Sequence, residues 1–321
     1  MRATYHTAGE ERVTADILNA ELHCHNTFSN HRNSSPRMPF DCGVEMADQL
    51  DRALAGGIQV LFVTNHNTLD GYRQICAIRD SREKFKSLKV YPAEEITIDT
   101  GGHVLAYGIH TEIRQGMTLD ETLDEIRRQG AVSCAAHPFA VTNGIRENAS
   151  RCDLIESFNS NNVDRYSNIV AARFAKENGM AETAGSDSHV LGTIGRCINA
   201  VEAENNLDSI LQAMGKGTVS AATKDYASRD ELFEHAHYIV SSSRTLLLEY
   251  ARQNHPSYHG LVRWALDSYM HNPNGTLWRS LAVLGLYLAG RVSQKVNMKG
   301  HNPRVFENRR WSQLISMGLS P

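Results

Sequence analysis

The segment Glu21-Leu22-His23-Cys24-His25 sets two imidazoles two residues apart. On a β-strand, residues i and i+2 share a face, so His23 and His25 can approach one metal ion together. His66 stands just past the apolar run Val60-Leu61-Phe62-Val63. The C-terminal edge of a parallel strand is where α/β folds gather ligands and catalytic groups. The same placement recurs: Glu95 in AEEIT, His103 opening HVLAY, His137 ending AVSCAAHP, and Asp187 and His189 in AGSDSH. Singly, each has a plainer reading as a capping Asp, a hydrogen-bonded core His or a solvated Glu. Eight of them at successive strand ends are too many for capping, and together they point to a multinuclear metal site. Mixed imidazole and carboxylate donors suit manganese, iron or zinc, whereas calcium prefers all-oxygen sites and structural zinc prefers thiolates.

The elements that must position these groups follow from periodicity. From about Asp16 to Thr223, short apolar runs alternate with helical stretches. Strands are expected at Val60–Val63, from Val90 towards Glu95, and at His103–Tyr107, Val132–Ala136, Leu154–Glu156 and Met180–Ala184. Between them Val44–Leu54 (ended by Gly56-Gly57), Leu119–Gln129 (ended by Gly130) and Arg165–Asn178 read as helices. Such alternation predicts a parallel sheet or barrel. After about Tyr226 the texture becomes wholly helical, over Arg229–Tyr250, Tyr258–Met270 and Leu277–Val296, with a polar tail from Asn297. The chain is therefore divided into residues 1–225, carrying the site, and a helical C-terminal appendage, residues 226–321. The run Leu281–Ala289 is too short to span a bilayer. It reads as a helix buried against the barrel, ahead of a membrane-surface or subunit contact. Trp264, Trp278 and Trp311 read as packing residues.

Composition narrows the function. Lys plus Arg is 33 and Asp plus Glu is 36, for a net charge of −3, which argues against a protein that coats nucleic acid. Arg309-Arg310-Trp311 is slender support for such a contact, and nucleic acid enters only as a substrate. Six cysteines (Cys24, Cys42, Cys76, Cys134, Cys152, Cys197) form no CxxC pair, so reduced thiols in a cytoplasmic protein are expected. The first twenty residues lack the apolar core of a signal peptide.

The stretches ELHCHNTFS, GIQVLFVTNHNTLDG, PAEEIT, GGHVLAYGI, AAHP and GSDSH, in that order across roughly residues 18–200, resemble the PHP (polymerase and histidinol phosphatase) family. The resemblance implies an α/β fold, a distorted (β/α)7 barrel with two or three divalent metal ions (Mn, Zn or Fe) at the strand C-termini. It implies a metal-dependent phosphoesterase that uses a metal-activated water on a phosphorylated metabolite, a nucleotide or an oligonucleotide end. Its ligands carry over to His23, His25, His66, Glu95, His103, His137, Asp187 and His189, with His66, Glu95 and His189 as the catalytic set. Glu95 is preferred to Glu94 because the family's acidic ligand directly precedes the apolar-Thr pair. This sequence departs from the pattern at Ser29-Asn30, where the family often has Ser-Asp; Asn30 is a poor ligand, so His31 or Asp41 would substitute. Asn26 and Asn65 also stand where Thr and Asp are common, as changes around the ligands rather than of them. The short stretch between Glu95 and His137 leaves no room for the inserted helical lid of some relatives. Arg146 and Arg196 are candidates for substrate phosphate by position. Two other readings are a metal-dependent amidohydrolase and a non-catalytic PHP-type module.

Overall fold

A computed structural model describes residues 16–32, 38–303 and 311–319. The N-terminal segment, Arg309 and Arg310 lie outside the described residues, as does the side chain of Trp311.

Among the described residues nine strands form one sheet: β1 (Asp16–Cys24), β2 (Val60–Val63), β3 (Lys89–Thr97), β4 (His103–Tyr107), β5 (Val132–Ala135), β6 (Leu154–Asn159), β7 (Ala181–Gly185), β8 (Cys197–Ala203) and β9 (Val219–Lys224). Their order is β7-β6-β5-β4-β3-β2-β1-β8-β9. The first seven curl into a barrel, because the segment after β7 returns to the end of β1. Cys24 pairs with Ser188 in a parallel bridge. Asp187 N donates to His23 O at 2.7 Å, and His25 N donates to Ser188 O at 3.1 Å. Asn199 of β8 seals the seam from outside, accepting from Ala184 N at 2.9 Å and donating to Ala184 O at 2.8 Å.

The expectation of a parallel sheet or barrel fails at β8, which runs antiparallel to both β1 and β9, and within the barrel at β4. β4 runs antiparallel to both β3 and β5. The cause is a tight turn: Ile98 N donates to Gly102 O at 2.9 Å, and Gly101 takes φ 79°, which glycine adopts without a Cβ penalty. The reversal matters for function. His103 begins its strand, yet it pairs with Thr97 at the end of β3, so it lies at the rim where its neighbours finish.

Helices α1 (Met46–Ala55), α2 (Asp70–Ser81), α3 (Leu119–Arg128), α4 (Tyr166–Asn178) and α5 (Leu207–Gly215) lie among the strands. In α3, Thr118 and Glu121 close a capping box, Asp120 and Glu121 sit in the first turn, and Arg127 and Arg128 in the last. This charge order suits the helix dipole, and Leu119, Leu123 and Ile126 turn inward. Strand alternation puts Ala93 on the face of Glu95, and Leu105 and Tyr107 on the face of His103. With Phe62 they make an apolar floor that Ile210 and Met214 of α5 extend.

The C-terminal helices differ from expectation in three places. The single helix expected over Arg229–Tyr250 breaks at Ser243 into α6 (Arg229–Ser242) and α7 (Arg244–Asn254). Helix α8 (His259–His271) is followed by α9 (Thr276–Lys299), and α10 (Trp311–Leu319) replaces part of the expected polar tail. In α9, Val292 and Val296 are buried, but Leu281, Val283, Leu284 and Tyr287 are exposed, so the first half is not the core helix that its composition suggested. Among the described residues, no helix is long and apolar enough to cross a membrane.

Candidate metal centre

All eight expected residues arrive at one rim of the barrel. β1 and its end supply His23 and His25, the segment after β2 His66, β3 Glu95 and the start of β4 His103. His137 follows β5, and Asp187 and His189 follow β7. Glu95 sits among them. Its Oε1 lies 2.8 Å from His103 Nδ1 and 2.9 Å from His137 Nε2. Its Oε2 lies 3.0 Å from His66 Nδ1, 3.3 Å from His25 Nε2 and 3.5 Å from His23 Nε2. Glu94 instead accepts from Ile113 N at 3.0 Å, away from the histidines.

Asp187 Oδ1 completes a four-atom set, 3.4 Å from His23 Nε2 and 3.3 Å from His25 Nε2. Donors bound tetrahedrally at about 2.0–2.1 Å are separated by roughly 3.3–3.4 Å, so this set matches the span of one small divalent ion. His137 (φ 27°) and Asp187 (φ 48°) occupy the left-handed region, uncommon for residues with side chains. Backbone bonds hold them there: His137 N donates to Glu156 Oε2 at 2.7 Å, and Asp187 N to His23 O.

A third group assembles beside the first. Asp41 Oδ2 lies 3.0 Å from His189 Nε2 and 3.5 Å from His66 Nε2. Of the two substitutes considered for the missing aspartate, Asp41 therefore enters the centre. His31 is exposed and packs its ring on Phe40 at 4.9 Å. Asn30 has become a clamp, its Oδ1 accepting from Asp41 N at 2.7 Å and Cys42 N at 3.0 Å.

Several supporting residues were not singled out from sequence. Glu156 Oε1 lies 2.7 Å from His23 Nδ1, which fixes the ring proton on Nδ1 and leaves the Nε2 lone pair facing the centre. The available signal was a glutamate inside the buried run LIESFN, which requires a partner there. Gly185 leaves room for it: a Cβ at that position would lie 1.7 Å from Glu156 Oε1. Asn159 Nδ2 donates to Glu156 Oε2 at 2.9 Å and Asp187 Oδ2 at 3.2 Å. Ser29 Oγ lies 3.0 Å from His25 Nδ1, accepts from His66 N at 3.2 Å and donates to Asn65 Oδ1 at 3.1 Å. Asn65 and Asn26, which the sequence did mark as changes around the ligands, bond to each other, so both brace the ligand-bearing loops.

The electrostatics follow from this crowding. Burial alone would raise the Glu95 carboxyl, but His103, His66 and His23 hold it well below the usual range. Asp187 is likewise lowered against its burial, chiefly by His23 and His25. Burial pushes the His189 imidazole down, yet Asp41 and Asp187 outweigh it and raise it to about 9. His23 Nε2, His25 Nε2, His66 Nδ1, Glu95 Oε2 and Asp41 Oδ2 are buried and have no hydrogen-bond partner among the described residues. Native interiors rarely leave such groups unsatisfied, and divalent cations are what this donor set accepts.

The family model described as PHP-associated matches residues 165–219, from the start of α4 through Asp187 and His189 to the first residue of β9. This match supports a PHP-superfamily domain. MJ1587, an uncharacterized protein of Methanocaldococcus jannaschii, is 27% identical to it over 157 residues, 48% of this chain and 89% of that protein. MJ0417, uncharacterized and from the same organism, is 30% identical over 129 residues, 37% of this chain and 54% of that protein. The crystal structure of PsfC from Pseudomonas syringae shares the fold, with a TM-score of 0.50 and 16% identity over 72% of this chain and 99% of that one.

The two arginines offered for substrate phosphate lie differently. Arg196 gives Nη1 to Asp225 at 2.6 Å and Nη2 to Glu231 at 2.8 and 2.9 Å, so its outer nitrogens are taken by protein carboxylates. Its place is a fastening point for α6 rather than an anion contact. Arg146 donates to Asn297 Oδ1 at 3.1 Å and lies over the Phe139 ring at 5.2 Å, while its Nη1 is buried with no partner among the described residues.

Proposed function

We propose that the chain is a metal-dependent phosphoesterase acting on a small phosphorylated metabolite, a nucleotide or an oligonucleotide end. The observation that carries this reading is the convergence of eight expected ligands and Asp41 at one rim, with buried donor atoms that no group among the described residues satisfies. One cation position would use His23, His25, Glu95 and Asp187, and a second Glu95, His103 and His137. A third would use Asp41, His66 and His189. Glu95 offers separate oxygens to the first two positions, which suits it to bridge them. Manganese, zinc and iron all fit these donors. Bound there, such ions supply charge stabilisation for phosphoryl oxygens and an activated water.

The chain's own residues orient and shield that chemistry. Glu156 and Ser29 set the tautomers of His23 and His25, and the apolar floor beneath Glu95 excludes water from below. His66 directs Nδ1 at Glu95 and Nε2 at Asp41, and so is placed to take or give a proton at whichever nitrogen is uncommitted. Arg146 remains the candidate for a substrate phosphate, through the Nη1 that no described residue engages. We assign residues 1–225 to the catalytic unit and 226–321 to a helical C-terminal appendage. All six cysteines are free, which supports a reducing, cytoplasmic setting.

The test is metal analysis with phosphatase assays on wild type and Asp187→Asn, run beside an amide panel. The expectation is bound divalent metal and phosphate release in wild type, with both reduced in the variant. Full phosphatase activity in a metal-free preparation would overturn the reading.

A further inference from the structure

We propose that His235 and Tyr238 of α6 are positioning residues for Asp41, so that the C-terminal helices build the third cation position. This rests on the phosphoesterase reading above, and it concerns the one ligand that departs from the family's Ser-Asp pattern.

Asp41 lies in an irregular segment, where no strand fixes its backbone. Its N–H donates to Asn30 Oδ1, and its carbonyl lies 2.8 Å from His235 Nε2. A carbonyl can only accept, so His235 carries its proton on Nε2 and donates it to Asp41. The His235 ring also stacks on His189, with centroids 4.5 Å apart and planes at 23°. Thus one side chain of α6 touches both Asp41 and the histidine nearest its carboxylate. The other grip on Asp41 is itself held by α6: Asn30 Nδ2 donates to Tyr238 Oη at 2.9 Å. The Tyr238 ring lies so close to Gly43 that a Cβ there would stand 2.9 Å from it.

These contacts form one stripe. Glu231, His235 and Tyr238 are i, i+4 and i+7, a single helix face. At its first member Glu231 is bound twice by Arg196, and Gly192 approaches so closely that a Cβ would meet Glu231 Oε1 at 2.7 Å. None of the residues of α6 is fully buried. Polar contacts to the barrel rim therefore place this helix, not an apolar face, and two of the three bear on the Asp41 loop. The adjoining face, Asp230, Phe233, Glu234 and His237, lines a separate cavity with Tyr269 and Trp278 and does not take part.

Isothermal titration of the metal-free chain, residues 1–321, with Mn²⁺ or Zn²⁺ tests the assignment, with thermal unfolding recorded on each variant. Wild type is expected to bind three cations. In His235→Ala combined with Tyr238→Phe, the weakest site should lose about 10–100-fold in affinity while the other two keep theirs, because outer-shell partners act at that scale. Asp41→Asn should lose the same site, and His235→Gln, which can still donate to the carbonyl, should recover part of the loss. His237→Ala, on the other face, should change no metal affinity whatever it does to the melting temperature. Three wild-type-like sites in the double variant would overturn the proposal and leave the phosphoesterase reading standing. So would an equal loss in His237→Ala, or a wild type that binds only two cations. A wild type that binds none would overturn both.

Discussion

In the barrel, Phe62, Leu105 and Tyr107 have no exposed surface, and Glu21, Glu94 and Glu95 are as fully shielded as the aliphatic residues. In the C-terminal helices, Tyr258, Leu261, Trp264, Leu277 and Tyr287 stand 53–62% exposed. One region closes on itself, with nearly every strand face covered. The other reaches the barrel through α6 and the second half of α9, where Asn297 donates to Phe139 O at 3.1 Å and Ser293 to Asp164. The barrel supplies a dry, rigid rim that can hold several charged groups together. The helices add a few directed polar contacts to that rim, and their own packing matters less.

The comparison can be broken first by stability. Leu105→Ala removes a fully buried side chain from the floor and should cost about 2–5 kcal/mol in chemical denaturation. A smaller cost would mean that the floor is not close-packed. Next comes Glu156→Gln, which weakens the hold on His23 Nδ1 without touching the centre directly. It should lower metal affinity or phosphatase activity about 10–100-fold with little change in fold, read by titration and circular dichroism.

Glu94 gives a pH-dependent effect. Burial, reinforced by nearby Glu112, pushes its carboxyl up from 4.5 to about 8. The folded state therefore holds its proton more tightly than the unfolded chain. Stability falls as pH rises from 4.5 towards 8, because the unfolded chain ionises first. Glu94→Gln keeps an acceptor for Ile113 N and removes this penalty. The variant should melt higher than wild type at pH 8, by about 2–4 °C for each kcal/mol recovered, and nearly equally at pH 4.5. The smallest effect belongs to the helices: Leu284→Ala, already 47% exposed, should change stability by less than about 0.5 kcal/mol.

Much of the barrel was legible because its strands are short apolar runs bounded by glycine, proline or a polar residue. Val60–Val63 and His103–Tyr107 match at both ends. The direction of β4 was not legible, since a two-residue alternation reads the same either way along a strand. Glu95 could be chosen over Glu94, and alternation then sends the two to opposite faces of β3. Asp41 was one of two options, because a loop carries no periodicity to say which side chain turns inward. His235 and Tyr238 gave no signal, as their partners lie 194 and 208 residues away along the chain. The first half of α9 misled in the opposite sense, since an apolar run looks the same whether or not anything covers it.

A cluster of divalent cations held at the rim around Glu95 underlies the proposed function. Anomalous diffraction from crystals of the metal-loaded protein, recorded across the absorption edge of the added metal, tests it most directly. Peaks are expected on both sides of the Glu95 carboxylate, one contacted by His23, His25 and Asp187 and another by His103 and His137, with a further peak at Asp41, His66 and His189. A loaded crystal with no peak within bonding distance of Glu95 would contradict such a cluster.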